Sequence, residues 1–248
     1  MTNTQPEFLD TPEGRRIGYH RLPGAEPGVV FLGGFASDMS GTKATHLEGW
    51  ARARGRAFLR FDYSGHGVSS GAFTDGCIGD WAADAAAVLD RLTDGPQILV
   101  GSSMGGWIAL LLARAMPDRV AGLVTIAAAP DFTDDLWDGM DAAARARLAA
   151  DGAVDLPSEY GAPLPVTRHM IADGRAWRVF DAPLPLPLPV RFLQGTADAE
   201  VPVAKALRLL DHATGADMRL TLVKGADHRF SDPAGLASIE TAITEVGG

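Results

Sequence analysis

ILVGSSMGGWIALLLA, from Ile98 to Ala113, is the stretch that decides how this chain is read. Within it Gly101-Ser102-Ser103-Met104-Gly105 reads G-x-S-x-G, a pattern associated with a nucleophilic serine. The pattern recurs as Gly67-Val68-Ser69-Ser70-Gly71, so context must choose between the copies. A nucleophile elbow needs a strand that ends abruptly in a tight turn, with a helix directly after it. The copy at 101–105 has both, because Gln97–Val100 reads as a strand and Trp107–Ala115 as a long apolar helix. The copy at 67–71 sits in the loop DYSGHGVSSGAFTDG, beyond a strand ending near Asp62, and no helical pattern follows directly. Register then selects Ser103, which has Gly101 two residues before it and Gly105 two after. Centring on Ser102 would place Val100 and Met104 there, and their Cβ atoms would crowd the turn. Ser102 is expected to be a small packing residue.

Outward from the elbow, apolar runs at Gly28–Leu32, Ala57–Phe61, Val120–Ile126, Val190–Leu193 and Met218–Val223 join Gln97–Val100 as expected buried strands. They lack strict alternation, as parallel strands covered on both faces do. Helical spacing separates them at Thr42–Arg54, Trp81–Leu92, Pro202–Ala213 and Pro233–Val246. The alternation predicts an α/β fold with a mostly parallel central sheet and helices on both faces. Residues 131–189 break the rhythm. Asp134–Ala149 reads as one helix with Trp137, Met140, Ala144 and Leu148 on a face, and Thr167–Ala172 as a short one. The run APLPLPLPV (182–190) reads as an extended, polyproline-II-like connector, and no buried strand is expected in the segment. The expectation is a lid of residues 131–189 inserted into a core made of 1–130 and 190–248.

A serine needs a base, and the base an orienting acid. Where this kind of elbow is found the chain order is serine, acid, histidine, each just past the carboxyl end of a strand. Asp198, in QGTAD after Val190–Leu193, and His228, in GADH after Met218–Val223, meet both conditions. Among the other histidines, His212 falls inside a helix, His169 in the lid, and His20, His46 and His66 precede the serine; all are expected on the surface or in loops. Asp227 adjoins His228 too closely to hold its ring, and Glu200 stays open as an alternative acid. For an oxyanion hole the candidates are the backbone N–H groups of Met104 and of Phe35, in the strand exit FLGGF, with Ala36 as the alternative to Phe35.

Composition narrows the partners. The chain has 248 residues, 46% hydrophobic and 21% charged, enough for one sizeable core. A formal charge of −9 disfavours nucleic acid and anionic membranes. No apolar run approaches the roughly 18 residues of a membrane span. The lone Cys77 excludes an internal disulfide and fits a reducing compartment. MTNTQPEFLD lacks the basic and apolar regions of a signal peptide, so a cytoplasmic protein is expected. No clustered His/Cys pattern is visible, and neither a metal nor a cofactor is expected.

SGTKATHLEGWARARGRAFLRFDYSGHGVSSG (40–71), GSSMGGWIALLLA, VTRHMIADGR (166–175), PVRFLQGTADAEVP (189–202) and ADHRF carry a family likeness. On them the chain resembles the α/β-hydrolase superfamily. Within it, the chain is similar to the acyl-protein thioesterase (depalmitoylase) and acyl-glucuronide esterase family of mammalian mitochondria and its bacterial relatives. The resemblance runs from about Gly28 to Phe230, with GTKA and GSSMGGW its more specific blocks. It implies an α/β-hydrolase fold, a triad of Ser103, Asp198 and His228, and hydrolysis of esters or thioesters of acylated substrates. The transit sequence of the mitochondrial members is missing, which makes a bacterial cytosolic protein the expectation. Phe35, Trp107, Phe132, Trp137, Met140 and Met170 are candidates to line an acyl pocket. Carbon–carbon bond hydrolases and monoglyceride-lipase-like esterases use the same triad and are the alternatives. A non-catalytic binding protein of this fold would be expected to carry a degraded one.

Overall fold

The computed structural model describes residues 5–157 and 163–247. Strands β1 (Glu7–Asp10), β2 (Arg16–Leu22), β3 (Ala25–Leu32), β4 (Arg56–Phe61), β5 (Gln97–Ser102) and β6 (Val120–Ile126) precede the excursion. Inside it lie the hairpin strands β7 (Ala153–Leu156) and β8 (Leu164–Thr167) and the two-residue β9 (Leu184–Pro185). Then come β10 (Val190–Gly195), the two-residue β11 (Ala213–Thr214) and β12 (Met218–Val223). The main sheet has the order β1-β2-β4-β3-β5-β6-β10-β12. It is parallel from β4 through β12 and antiparallel at β1–β2 and β2–β4.

The helices are α1 (Thr42–Ala53), α2 (Ile78–Leu92), α3 (Met104–Ala115), α4 (Phe132–Gly139), α5 (Ala142–Asp151), α6 (Arg168–Gly174), α7 (Val203–His212) and α8 (Pro233–Gly247). Successive residues of a strand point to opposite faces, so a doubly covered strand is largely apolar on both. In β5, Ile98 and Val100 pack with Leu47 and Trp50 of α1 and Ile239 and Ile243 of α8. Leu99, between them, belongs to the other core, with Trp81 and Val88 of α2 and Trp107 and Leu110 of α3. Met140, Leu148, Val166 and Met170 of the excursion join that second core.

Four expectations are corrected. The strands β1 and β2 were not anticipated, because Arg16–Leu22 mixes charged, glycine and apolar residues instead of forming an apolar run. Met218–Val223 is a strand, but it closes the sheet as its edge and all six residues are half-buried or exposed. The expected helix Asp134–Ala149 is two helices, separated where Met140 turns extended at ψ 134° and Asp141 caps α5 by accepting the Ala144 N–H at 2.7 Å. The excursion contains the antiparallel pair β7–β8, which short length and Pro165 hid from pattern reading. The proline-rich run is extended as expected. Its leucines Leu184 and Leu186 are fully buried while Pro183, Pro185 and Pro187 stay exposed, and Leu184–Pro185 pairs with β11. Among the described residues, no helix is long and apolar enough to cross a membrane.

Candidate active site

Strand β5 ends at Ser102 and α3 begins at Met104, so Ser103 alone makes the turn, at φ 54° and ψ −116°. That is a backbone region L-residues avoid, and it is held by packing on both sides. A Cβ on Gly101 would lie 2.3 Å from the Gly105 carbonyl oxygen, and one on Gly105 would lie 2.1 Å from that of Leu32. The Ser103 N–H donates to the Ile126 carbonyl at 2.9 Å, and its own carbonyl accepts from Gly106 at 2.9 Å and Ala129 at 3.1 Å. Ser102 is buried at the strand end.

The second G-x-S-x-G copy has a different use. Ser69 Oγ donates to the Asp62 carbonyl at 2.7 Å and accepts the Gly18 N–H at 2.8 Å. Ser70 Oγ accepts the Arg16 N–H at 2.8 Å. These hydroxyls tie the loop to β2.

The carboxyl ends of β10 and β12 bring Asp198 and His228 to Ser103. His228 Nε2 lies 3.1 Å from Ser103 Oγ, and His228 Nδ1 lies 3.0 Å from Asp198 Oδ2. The Asp198 side chain is fully buried. Its Oδ1 accepts the Glu200 and Val201 N–H groups at 2.9 and 2.8 Å, and Oδ2 also accepts from Gln194 Nε2 at 2.9 Å. Burial alone would raise this carboxyl, but the hydrogen bonds from His228, Val201 and Gln194 outweigh it and hold the group below the usual carboxylate range. Glu200 does not take the orienting place. Its carboxylate sits 3.6 Å from Nε2, on the Ser103 side of the ring. Asp227 instead accepts the Phe230 N–H at 3.1 Å within its own turn. Lys43, from the GTKA block, donates to the Arg229 carbonyl next to His228, and burial lowers its ammonium to about 8.

The loop after β3 lies against the elbow, since a Cβ on Gly34 would sit 3.5 Å from Ser103 Cβ. It turns through Ala36 at φ 54°, with the Ser37 N–H on the Gly34 carbonyl at 3.3 Å. Among the described residues, neither the Phe35 nor the Met104 N–H is given to an acceptor. The Phe35 ring packs on Phe73, Trp81 and Phe132, and Phe132 also meets Trp107. Of the pocket candidates, Phe35, Phe132 and Trp137 are half-buried, whereas Trp107, Met140 and Met170 are buried in the core.

Two residues escaped sequence reasoning. Gln194 is buried and bridges Asp198 to the Val201 carbonyl, and its one signal was a position four residues before the aspartate. His66 is buried among Tyr63, Phe73 and Trp81, not a surface histidine, and burial lowers its imidazole below the usual range. None of the remaining histidines touches the serine; His46 pairs with Glu240, and His212 meets the Val179 and Ala182 carbonyls. Among the described residues, one set of His, Cys and acid donors lies close enough to hold an ion, Cys77, Asp80 and His169, and it shares no residue with this site.

An imidazole between a hydroxyl and a buried carboxylate can take the hydroxyl proton and return it to a leaving group. Comparison with known proteins places the chain in a family. The family model described as alpha/beta hydrolase fold matches residues 27–156. Palmitoyl-protein thioesterase ABHD10, mitochondrial, of Rattus norvegicus is 35% identical over 245 residues, covering 98% of this chain and 82% of that protein. The crystal structure of an Agrobacterium vitis S4 protein superposes with a TM-score of 0.93 at 41% identity, covering 98% of this chain and 99% of that one. Mouse alpha/beta hydrolase domain-containing protein 10 gives 0.90 at 34% identity, with 98% of each chain covered. The chain thus belongs to the α/β-hydrolase family, alongside the ABHD10 proteins, and is a hydrolase.

Proposed function

We propose that this hydrolase is a serine esterase or thioesterase that works through an acyl-enzyme on Ser103. The observation that carries the reading is the hydrogen-bond chain from Ser103 Oγ through His228 to a buried, ionised Asp198. His228 Nε2 takes the Ser103 proton as Oγ attacks the acyl carbonyl. The Met104 and Phe35 N–H groups receive the oxyanion; losing one such donor typically costs about 10²–10³ in turnover. His228 then protonates the departing thiolate or alkoxide, and the same ring activates the water that frees the acid. Asp198 accepts from Nδ1–H throughout, fixing the tautomer and favouring the transient imidazolium.

The acyl group we favour is long and apolar. The relatives named palmitoyl-protein thioesterase support this, as do the half-buried rings of Phe35 and Phe132. Residues 131–189 serve as the lid, with Phe132 of α4 on its inner wall. A reducing compartment suits the single cysteine; the named relatives are mitochondrial, and a cytoplasmic location is equally consistent with it.

The test is a panel of p-nitrophenyl esters of rising chain length, a palmitoyl-thioester peptide and an acyl glucuronide. Wild type is expected to cleave the long-chain esters and the thioester, and Ser103→Ala to lose at least about 10³-fold in kcat. Cleavage of a vinylogous diketone alone, or activity indifferent to Ser103→Ala, contradicts the reading.

A further inference from the structure

Apart from the Ser103 site, the fold gathers donors of metal-ligating type where the core meets the excursion. Cys77 immediately precedes α2, and Asp80 lies in its first turn, three residues on. His169 and Asp173 lie four residues apart on α6, so they share a face of that helix. The Cys77 Sγ, an Asp80 carboxylate oxygen and a His169 ring nitrogen lie within 4.8 Å of one another. Cys77 Sγ donates to Asp80 Oδ2 at 3.1 Å. Asp173 holds α6 against α2 by accepting the Gly79 N–H at 2.8 Å, and its other carboxylate oxygen accepts the Trp177 Nε1–H at 3.3 Å. Cys77 is buried and His169 exposed, so the cluster is closed on the core side and open to solvent on the other.

A reactive thiol is the competing use of such a cysteine. Cys77 is buried and its Sγ already donates to the Asp80 carboxylate, which is not the exposed, electropositive setting of a reactive thiol. A sulfur, an imidazole nitrogen and a carboxylate oxygen are, by contrast, all donor types that Zn²⁺ takes, and three protein donors leave its fourth position to water. We propose that Cys77, Asp80 and His169 form a site for a divalent cation of borderline softness, Zn²⁺ first, that bridges α2 to α6. On binding, the Cys77 proton leaves to solvent and the thiolate joins the metal; no electron is transferred. Asp80 keeps Arg15 on Oδ1 at 3.2 Å and turns Oδ2 to the ion, while Arg15 stays anchored on Asp84 at 2.6 Å.

The experiment titrates the full chain with Zn²⁺ against a chromophoric chelator and, separately, with Co²⁺ in the spectrophotometer. One equivalent is expected to bind, with the thiolate-to-metal charge-transfer band and the ligand-field bands of four-coordinate Co²⁺. Cys77→Ser should remove the charge-transfer band. His169→Ala, at an exposed position that leaves folding intact, should weaken binding about tenfold or more. His228→Ala should leave it unchanged. No binding beyond the chelator's competition, binding indifferent to His169→Ala and Cys77→Ser, or binding lost with His228→Ala would each overturn the proposal.

Discussion

Ser103 holds a strained backbone, at φ 54° and ψ −116°, that aims its Oγ at His228. Glycine adopts that region freely and alanine does not, though both remove the hydroxyl. Ser103→Gly is therefore expected to be more stable than Ser103→Ala by about 1–2 kcal/mol in urea unfolding. Equal stabilities would mean that the turn is not strained. His66 tests the buried ring cluster. Its folded pKa lies below its unfolded value of about 6.5, so the unfolded chain binds the extra proton as pH falls through that value. Its contribution is a loss of stability on going down from about pH 6.5 toward the lower folded pKa, complete once pH is below it. Unfolding free energies measured from pH 7.5 to 5 should show a slope that His66→Phe flattens, whatever its effect at pH 7.5. Ser103 was legible in the sequence because the two glycines on either side leave one serine in register. His66 and Gln194 were not, because nothing local shows that distant rings and strands enclose them.

At the level of elements, a strand was legible where both of its faces are covered. Such strands are apolar through most of their length, as Val29–Leu32 of β3, Ile98–Val100 of β5 and Phe192–Leu193 of β10 are, while Gln97, Arg191 and Gln194 are buried with hydrogen-bond partners. β2 and β12 carry polar residues because they lie toward the sheet margins, and β7 and β8 are four-residue strands with the proline of β8 at Pro165. The α4–α5 break escaped periodicity because Trp137, Met140, Ala144 and Leu148 keep helical spacing across it. What breaks the helix is a cap. Asp141 prefers to accept the Ala144 N–H, as aspartates at helix starts do. Asp141→Ala should cost α5 about 1 kcal/mol, read as faster hydrogen exchange of the α5 amides. Asp138→Ala, outside the cap, should leave those amides alone; equal effects from the two would remove the cap from the explanation.

For the molecule as a whole, the parallel sheet does the assembling. Phe35, Ser103, Asp198 and His228 follow β3, β5, β10 and β12, whose carboxyl ends share one rim, so residues 125 apart in sequence meet at 3.1 Å. This is why the candidate site was readable before the fold: chain order and strand ends fix it without any knowledge of packing. The excursion was legible only as an interruption, because what it covers depends on how Phe132 meets Phe35 across the elbow. The central claim is that Ser103 carries the acyl group, and a fluorophosphonate probe tests it most directly. The protein, Ser103→Ala and Ser69→Ala are labelled side by side, and the adduct is mapped by mass spectrometry. The account predicts one adduct, on Ser103, absent from Ser103→Ala and retained in Ser69→Ala. Labelling that survives Ser103→Ala and disappears in Ser69→Ala would contradict it.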